Sequence, residues 1–187
     1  MANDSGPSLE VNASQRVWIW LAFLCAAATL AGSLGLSYGL GLKACPLCFY
    51  QRTFIMSLVA VLGIGLLTPA GRGARLAWLA LPLAVAGLGV ASFHVFLELS
   101  GKLECPAGVI GAGTAPQQSM AMFLLLTSLL VAGLVREPSC FLSIGSSLLI
   151  GLLLALASST SNPPMPSPPD RPYPGPPEIC RPPYRTP

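Results

Sequence analysis

Charge is what this sequence most lacks. Only 9% of its 187 residues are Asp, Glu, Lys or Arg, against 53% hydrophobic, and the mean hydropathy is +0.68. That balance excludes an ordinary soluble domain, which carries about a quarter charged residues. The net charge of +3 is small and spread over loops and tail, so no basic patch points to nucleic acid. Six cysteines stand at 25, 45, 48, 105, 140 and 180, but their spacing fits no zinc finger: only two thiols are suitably close, and the others are scattered singles. No basic cluster precedes the first apolar run, and the run from 17 to about 40 exceeds the roughly 7 to 15 apolar residues of a signal-peptide core. It reads as a retained span after a cytosolic tail, 1–16.

What is present is a series of apolar runs. Further spans are expected at about 53–70 and 76–97. The apolar stretch 120–157 is 38 residues long, about 57 Å as a helix, too much for a single crossing of a hydrocarbon core of about 30 Å. Arg136-Glu137-Pro138 divides it into spans at about 119–135 and 139–157, with Ser119 as the expected cap of the fourth. The fold class is therefore an all-α integral membrane protein, a four-helix transmembrane bundle plus a fifth transmembrane helix, with 17–157 as one transmembrane domain. From 158 the composition turns to proline, 12 of them between Asn162 and Pro187, which predicts an extended, mobile, disordered tail.

Counting five crossings puts the Cys45/Cys48 loop, the Cys105 loop and the Cys180 tail on one side of the membrane. The N-terminus, the Arg72/Arg75 loop and Cys140 fall on the other. Arg16, Arg72, Arg75 and Arg136 against Lys43, Arg52 and Lys102 give a weak positive-inside bias, and the tight basic loop at 71–75 favours an external face for the first set. Disulfides persist outside the cytosol, so four cysteines there are chemically coherent. Three readings of Cys180 stay open: a pair with Cys105, a lone tail thiol, or, with four crossings in place of five, a thiol on a cytosolic tail.

The chemistry concentrates in Cys45-Pro46-Leu47-Cys48-Phe49-Tyr50-Gln51-Arg52. Pro46 suits the first position of a helix, which makes Cys45 its N-cap and puts Cys48 in its first turn, where the positive helix end favours a thiolate. Arg52 lies on the same face as Cys48, four residues on. An arginine at mid-span costs about 2.5 kcal/mol or more, so it implies a partner: a thiolate or a polar headgroup. His94 and Glu98, four apart at the outer end of the third span, either line a ligand pocket or relay protons, or simply face water. Gln51 either bonds a ligand carbonyl or satisfies a neighbouring helix. Cys25 reads as a core residue and Cys140 as a reduced bystander.

The stretch from Leu42 to Arg52, between a first and a second span, resembles the signature of the disulfide bond formation protein B (DsbB) family of bacterial membrane thiol:quinone oxidoreductases. The resemblance runs over about 17–135 and includes the span ending in His94 and Glu98 and the loop with Cys105. It implies a four-helix bundle in the bacterial inner membrane that reoxidises a periplasmic thioredoxin-fold partner of the DsbA type and passes electrons to ubiquinone or menaquinone. It further implies that Cys45 and Cys48 face the quinone, that Cys48 touches its ring, that Arg52 stabilises the quinone or the charged intermediate, and that Cys105 takes the mixed disulfide. The chain departs from the pattern by lacking a second cysteine in the Cys105 loop and by adding a fifth span and a tail, where Cys180 stands as a candidate replacement. Two other readings compete: a vitamin K epoxide reductase-like relay, and a non-enzymatic scaffold whose Pro-rich tail recruits SH3- or WW-like domains.

Overall fold

In the computed structural model, residues 8–68, 73–135, 140–164, 166–169 and 171–184 are described, with backbone alone at 8–14, 73–74 and 140–143. Five helices follow one another: α1 Ser8–Tyr38, α2 Pro46–Leu67, α3 Gly73–Leu99, α4 Ala115–Leu134 and α5 Cys140–Thr160. Among the described residues no helix is interrupted by a strand; the extended pairings are two isolated bridges. Among the described residues four helices are long and apolar enough to cross a membrane, Gln15–Tyr38, Pro46–Leu67, Arg75–Leu99 and Ala115–Leu134, and Ile144–Thr160 is a shorter apolar one. The protein is an all-α, multi-pass membrane protein.

Helix starts follow their capping chemistry. Pro46 opens α2 and Cys45 caps it from an extended conformation, φ −72° and ψ 165°, its sulfur accepting the Cys48 N–H at 3.2 Å. The helix thus begins seven residues before the expected span edge at 53. Helix α4 is capped by Thr114, not Ser119, which lies inside it. Sequence spacing alone missed this because Pro116, tolerated in a first helical turn, lets the helix begin upstream of the polar run. The basic loop residue Arg72, the Arg136-Glu137-Pro138 break and the Cys140 side chain lie outside what is described.

Helix α3 is the centre of the bundle and touches the other four. Its buried face is built from Ala77, Ala80, Ala84 and Ala91, small side chains that let neighbouring backbones come close. Against them pack Ile19, Ala22 and Ala26 of α1, Ile55, Leu58 and Leu62 of α2, and Phe123, Leu126 and Leu130 of α4. Gly87 is required by this packing, since a Cβ there would run into the Phe123 ring. Helix α5 lies on the far side of α3, with Gly151 against Val85 and the Pro82 carbonyl, where a Cβ would come within 2.6 Å and 2.8 Å of them. Its other face, Leu148, Leu149, Leu152, Leu153 and Leu156, is exposed, as a lipid-facing helix requires.

Among the described residues the tail carries no helix beyond Thr160, as its prolines demand, and it has definite ties. Cys180 is disulfide-bonded to Cys105, and Glu104 and Arg181 exchange both backbone hydrogen bonds, at 2.8 and 3.0 Å. Lys43 N–H donates to the Glu178 carbonyl at 2.9 Å. The Arg181 guanidinium stacks 3.7 Å from the Tyr173 ring centre, lies 3.6 Å from the Glu104 carboxylate and donates to the Gly175 carbonyl. Where composition predicted a mobile segment, a covalent bond and backbone pairs supply order that proline-rich chain cannot draw from a core. The disulfide also holds the tail against the α3–α4 loop.

Candidate functional site: a sulfur cluster beside an apolar cavity

The C-terminal ends of α1, α3 and α5 and the N-terminal ends of α2 and α4 meet at one end of the bundle, and the site is built there. Cys45 and Cys48, one turn apart at the start of α2, hold their sulfurs 2.6 Å from each other. A disulfide between them needs only a small side-chain movement. Cys45 is buried and Cys48 half-buried, and both are free thiols in this structure. The Cys48 sulfur, and after it burial, pushes the Cys45 thiol above its ordinary range, so a proton shared by the pair belongs on Cys45.

His94, fully buried on α3, stands between the two cysteine pairs. Its Nε2 is 3.5 Å from Cys105 Sγ and 3.9 Å from Cys45 Sγ, and the ligand atoms of Cys45, Cys48, His94 and Cys180 all lie within 4.8 Å of one another. On its other side the Gln51 side-chain amide nitrogen is 3.2 Å from His94 Nδ1. An amide nitrogen only donates, so Nδ1 accepts and the proton of the neutral imidazole sits on Nε2, facing sulfur. Glu98 does not join this group: its carboxylate accepts from the Thr114 hydroxyl at 2.8 Å and ties α3 to the start of α4.

Behind Cys48 opens a cavity of about 360 Å³ between α1, α2, α4 and the α3–α4 loop. Its walls are mainly apolar, including Ala28, Ile55, Val109, Met122 and Phe123, with Cys48, Gln51 and Arg52 as the polar groups on the α2 side. This is the build of a small-molecule site, a mostly apolar hollow with a few convergent polar groups. Arg52 is held in place from α1: Nε donates to Ser33 Oγ at 3.1 Å, and one terminal nitrogen donates to the Ser33 carbonyl at 2.9 Å and to Ser37 Oγ at 2.8 Å. The guanidinium thereby spans two helices beside the cavity.

Of the residues the sequence singled out, Cys45, Cys48, Cys105, Cys180, His94 and Gln51 form one cluster, and Cys48, Gln51 and Arg52 also line the cavity. His94 does not line it but sits among the sulfurs. Cys25 stays apart on α1, with its carbonyl accepting from Thr29. Ser33 and Ser37 were missed, although they lie one turn apart on α1 and so on one face, a readable signal in an otherwise apolar segment.

A family model described as "Disulfide bond formation protein DsbB" matches residues 15–128. Curated proteins named Disulfide bond formation protein B are similar: that of Burkholderia pseudomallei is 34% identical over 100 residues, 52% of this chain and 58% of the relative. That of Xanthomonas campestris pv. campestris is 37% identical over 90 residues, 46% of this chain and 52% of the relative. A disulfide formation protein of Chlamydia trachomatis is 32% identical over 123 residues, 60% of this chain and 89% of the relative. The chain thus spans little more than half the length of the Burkholderia and Xanthomonas relatives. No solved structure matches it. The match ends before α5 and Cys180, yet it takes in most of the chain with the paired thiols, Arg52, His94 and Cys105, and on that breadth the protein belongs to the DsbB family of disulfide bond formation proteins.

Proposed function

We propose that this protein is a membrane thiol:quinone oxidoreductase that makes disulfides in an extracytoplasmic partner. Electrons enter at the Cys105–Cys180 disulfide from a dithiol protein of the thioredoxin-fold, DsbA type. They move to Cys45/Cys48 by thiol–disulfide exchange and leave to a quinone. The observation that carries this reading is that one sulfur pair borders two different neighbours: Cys45 faces His94 and the second cysteine pair, while Cys48 faces the apolar cavity.

A quinone, ubiquinone or menaquinone, fits the cavity by the chemistry of its walls: apolar side chains for a ring and its tail, and Gln51 and Arg52 as hydrogen-bond donors for carbonyl oxygens. Bound there it would supply a two-electron, two-proton acceptor. The residues of this chain do the rest. Cys48 presents a sulfur to the cavity, Arg52 supplies a fixed positive charge beside it, and the apolar walls exclude water and strengthen that charge. Each exchange step is a thiolate attack on a disulfide sulfur, so it needs sulfurs in reach of one another and a place for the proton. The 2.6 Å approach of Cys45 and Cys48 meets the first need, Cys45, whose thiol is raised by the Cys48 sulfur and by burial, meets the second, and the His94 Nε2–H faces the sulfurs as a hydrogen-bond donor to a thiolate.

The reading places the protein in a bacterial inner membrane with its sulfur cluster toward the periplasm. It is tested by mixing the purified protein with a reduced thioredoxin-fold dithiol protein and a soluble quinone and following quinone absorbance. Turnover is expected, with none in Cys48→Ser and a strongly reduced rate in Arg52→Ala. Turnover that survives Cys48→Ser would overturn the reading.

A further inference from the structure

The sulfurs of Cys45, Cys48 and Cys180 and a ring nitrogen of His94 converge at one end of the bundle, all within 4.8 Å of one another. Within that group Cys45 Sγ is 2.6 Å from Cys48 Sγ and 3.9 Å from His94 Nε2. Zinc bonds of about 2.3 Å to sulfur and about 2.0 Å to nitrogen set tetrahedral ligand atoms roughly 3.5–3.8 Å apart. The Cys45 and Cys48 sulfurs must therefore separate by about 1 Å and the most distant atoms close by about as much, which rotation about cysteine χ1 supplies while the helices stay in place. Three of the donors are fixed by helices: Cys45 caps α2, Cys48 lies in its first turn, and His94 is buried on α3. Cys180 is held without its disulfide as well. The adjacent Arg181 exchanges two backbone hydrogen bonds with Glu104, and the Glu178 carbonyl accepts from the Lys43 N–H at 2.9 Å.

We propose that the reduced protein binds one Zn2+ ion through Cys45, Cys48, Cys180 and His94. Three thiolates and one imidazole make a closed tetrahedral set of the kind that holds structural zinc, and ligands this rich in sulfur select zinc over the oxygen-seeking Mg2+, Ca2+ and Mn2+. The site forms in two steps. A dithiol first opens the Cys105–Cys180 disulfide, its own disulfide closing as the two cysteines become thiols. The thiols of Cys45, Cys48 and Cys180 then give their protons to solvent as the sulfur–zinc bonds form, and no electrons move. His94 coordinates through Nε2 while its ring proton moves to Nδ1. The Gln51 amide, now 3.2 Å from Nδ1 through its nitrogen, turns over so that its carbonyl oxygen accepts from Nδ1–H, the kind of outer partner that metal-bound histidines use. Three thiolates exceed the charge of the ion by one. The Cys48 N–H, which donates to Cys45 Sγ at 3.2 Å, and the Arg52 guanidinium, one turn beyond Cys48, offset that excess. An occupied site keeps Cys45, Cys48 and Cys180 as thiolates, so zinc excludes both disulfides and each disulfide excludes zinc. The site goes beyond the function proposed above, and its existence does not depend on that reading.

The test uses the full chain in detergent, with Cys25→Ala and Cys140→Ala to remove the thiols outside the cluster. The protein is reduced with a phosphine, stripped of metal with a chelator and titrated without oxygen with Co2+, a spectroscopic stand-in, and then with Zn2+. One equivalent of Co2+ is expected to give the intense visible bands of a tetrahedral site and a thiolate-to-cobalt charge-transfer band, both erased by one equivalent of Zn2+. The same chain oxidised to its disulfides is expected to give neither. His94→Gln and Cys180→Ser are each expected to weaken Zn2+ binding by at least about a hundredfold, more than the loss of an outer hydrogen-bond partner costs, and to shift the visible bands. Cys105→Ser removes the same disulfide as Cys180→Ser and is expected to bind normally, which separates loss of a ligand from loss of a crosslink. Gln51→Leu is expected to weaken binding by about tenfold or more, whereas Gln51→Glu, whose carboxylate accepts from Nδ1–H, binds at least as tightly as the native side chain. Weak six-coordinate bands, equal binding by the oxidised protein, or binding unchanged in His94→Gln or Cys180→Ser overturns the site and leaves the proposed function standing. So does equal loss in Cys105→Ser and Cys180→Ser, which removes Cys180 from the ligands.

Discussion

The Gln51 amide nitrogen lies 3.2 Å from His94 Nδ1, and both side chains are buried, so one hydrogen bond between α2 and α3 decides which imidazole nitrogen faces sulfur. Removing it lets the proton sit on either nitrogen and leaves a buried acceptor unmatched, at a cost of about 1 kcal/mol, or about fivefold in rate. In Gln51→Leu, single-turnover transfer from the outer to the inner cysteine pair is expected to slow by about that factor. Gln51→Glu reverses the polarity of the bond, because a carboxylate only accepts, and puts the ring proton on Nδ1. It is expected to slow the step further, by tenfold or more. Stopped-flow measurement with Cys48→Ser as the blank separates this step from quinone reduction.

Arg52 owes its position to two serines of α1, which predicts that they matter without touching any substrate. Ser33→Ala with Ser37→Ala removes both hydroxyl acceptors and leaves the Ser33 carbonyl as the remaining partner. The expected result is a rise of about tenfold in KM for a short-chain quinone with kcat little changed. Arg52→Lys is expected to behave worse than the double serine variant, because a lysine cannot reproduce the fork to two partners. Steady-state kinetics at varied quinone concentration distinguish these outcomes.

How much was legible in advance depends on range. The helix starting at Pro46, its Cys45 cap and the placement of Arg52 under Cys48 are local consequences of one octapeptide, and the sequence carries them in full. The meeting of His94 with Cys45 and Cys105 links positions 49 and 11 residues apart, and no periodicity encodes which face of α3 turns toward α2. Zinc-like proximity was discounted because the cysteines are scattered in sequence, yet folding draws Cys45, Cys48, Cys180 and His94 together. The tail was illegible for a different reason: composition reports the lack of a core-forming pattern but not a crosslink between residues 75 apart.

Gly87 offers a test of the packing that shapes the cavity. An added methyl at 87 meets the buried Phe123 ring, which also forms part of the cavity wall. Overpacking of this kind costs about 1–3 kcal/mol. Gly87→Ala is expected to lower the unfolding temperature of the detergent-solubilised protein and to weaken quinone binding as the ring is pushed into the hollow. Gly87→Ala with Phe123→Leu is expected to recover most of the stability, read by thermal unfolding.

Cys45 should titrate late. Its thiol is raised chiefly by the Cys48 sulfur and next by burial, and a raised thiol pKa means that the reactive thiolate forms only at higher pH. Alkylation of Cys45 by iodoacetamide in the reduced protein is therefore expected to lag well beyond the range near pH 8.5 where a free cysteine reacts. In Cys48→Ala the larger cause is gone while burial remains, so the profile moves down in pH yet stays above that of free cysteine. Peptide mass mapping across a pH series reads both shifts, and an unchanged profile in Cys48→Ala would remove the sulfur–sulfur interaction as the cause.

Arg181 links the tail to the outer loop through more bonds than its neighbours, and its loss separates covalent from non-covalent anchoring. Its side chain stacks on Tyr173, approaches Glu104 and donates to the Gly175 carbonyl, while its backbone pairs with Glu104 beside the Cys105–Cys180 bond. In Arg181→Ala the backbone pair and disulfide remain, so the oxidised protein is expected to keep the tail in place and to exchange with a dithiol partner at a near-normal rate. Once the disulfide opens, only the side-chain ties and backbone pairs hold Cys180 near Cys105, and the cation–π contact with the half-buried Tyr173 alone is worth about 0.5 kcal/mol or more. Reclosure of the outer pair is therefore expected to slow two- to fivefold in Arg181→Ala, and proteolysis between 163 and 184 to speed up in the reduced but not the oxidised protein. A tail cleaved equally fast in both redox states would show that the disulfide contributes nothing to its anchoring.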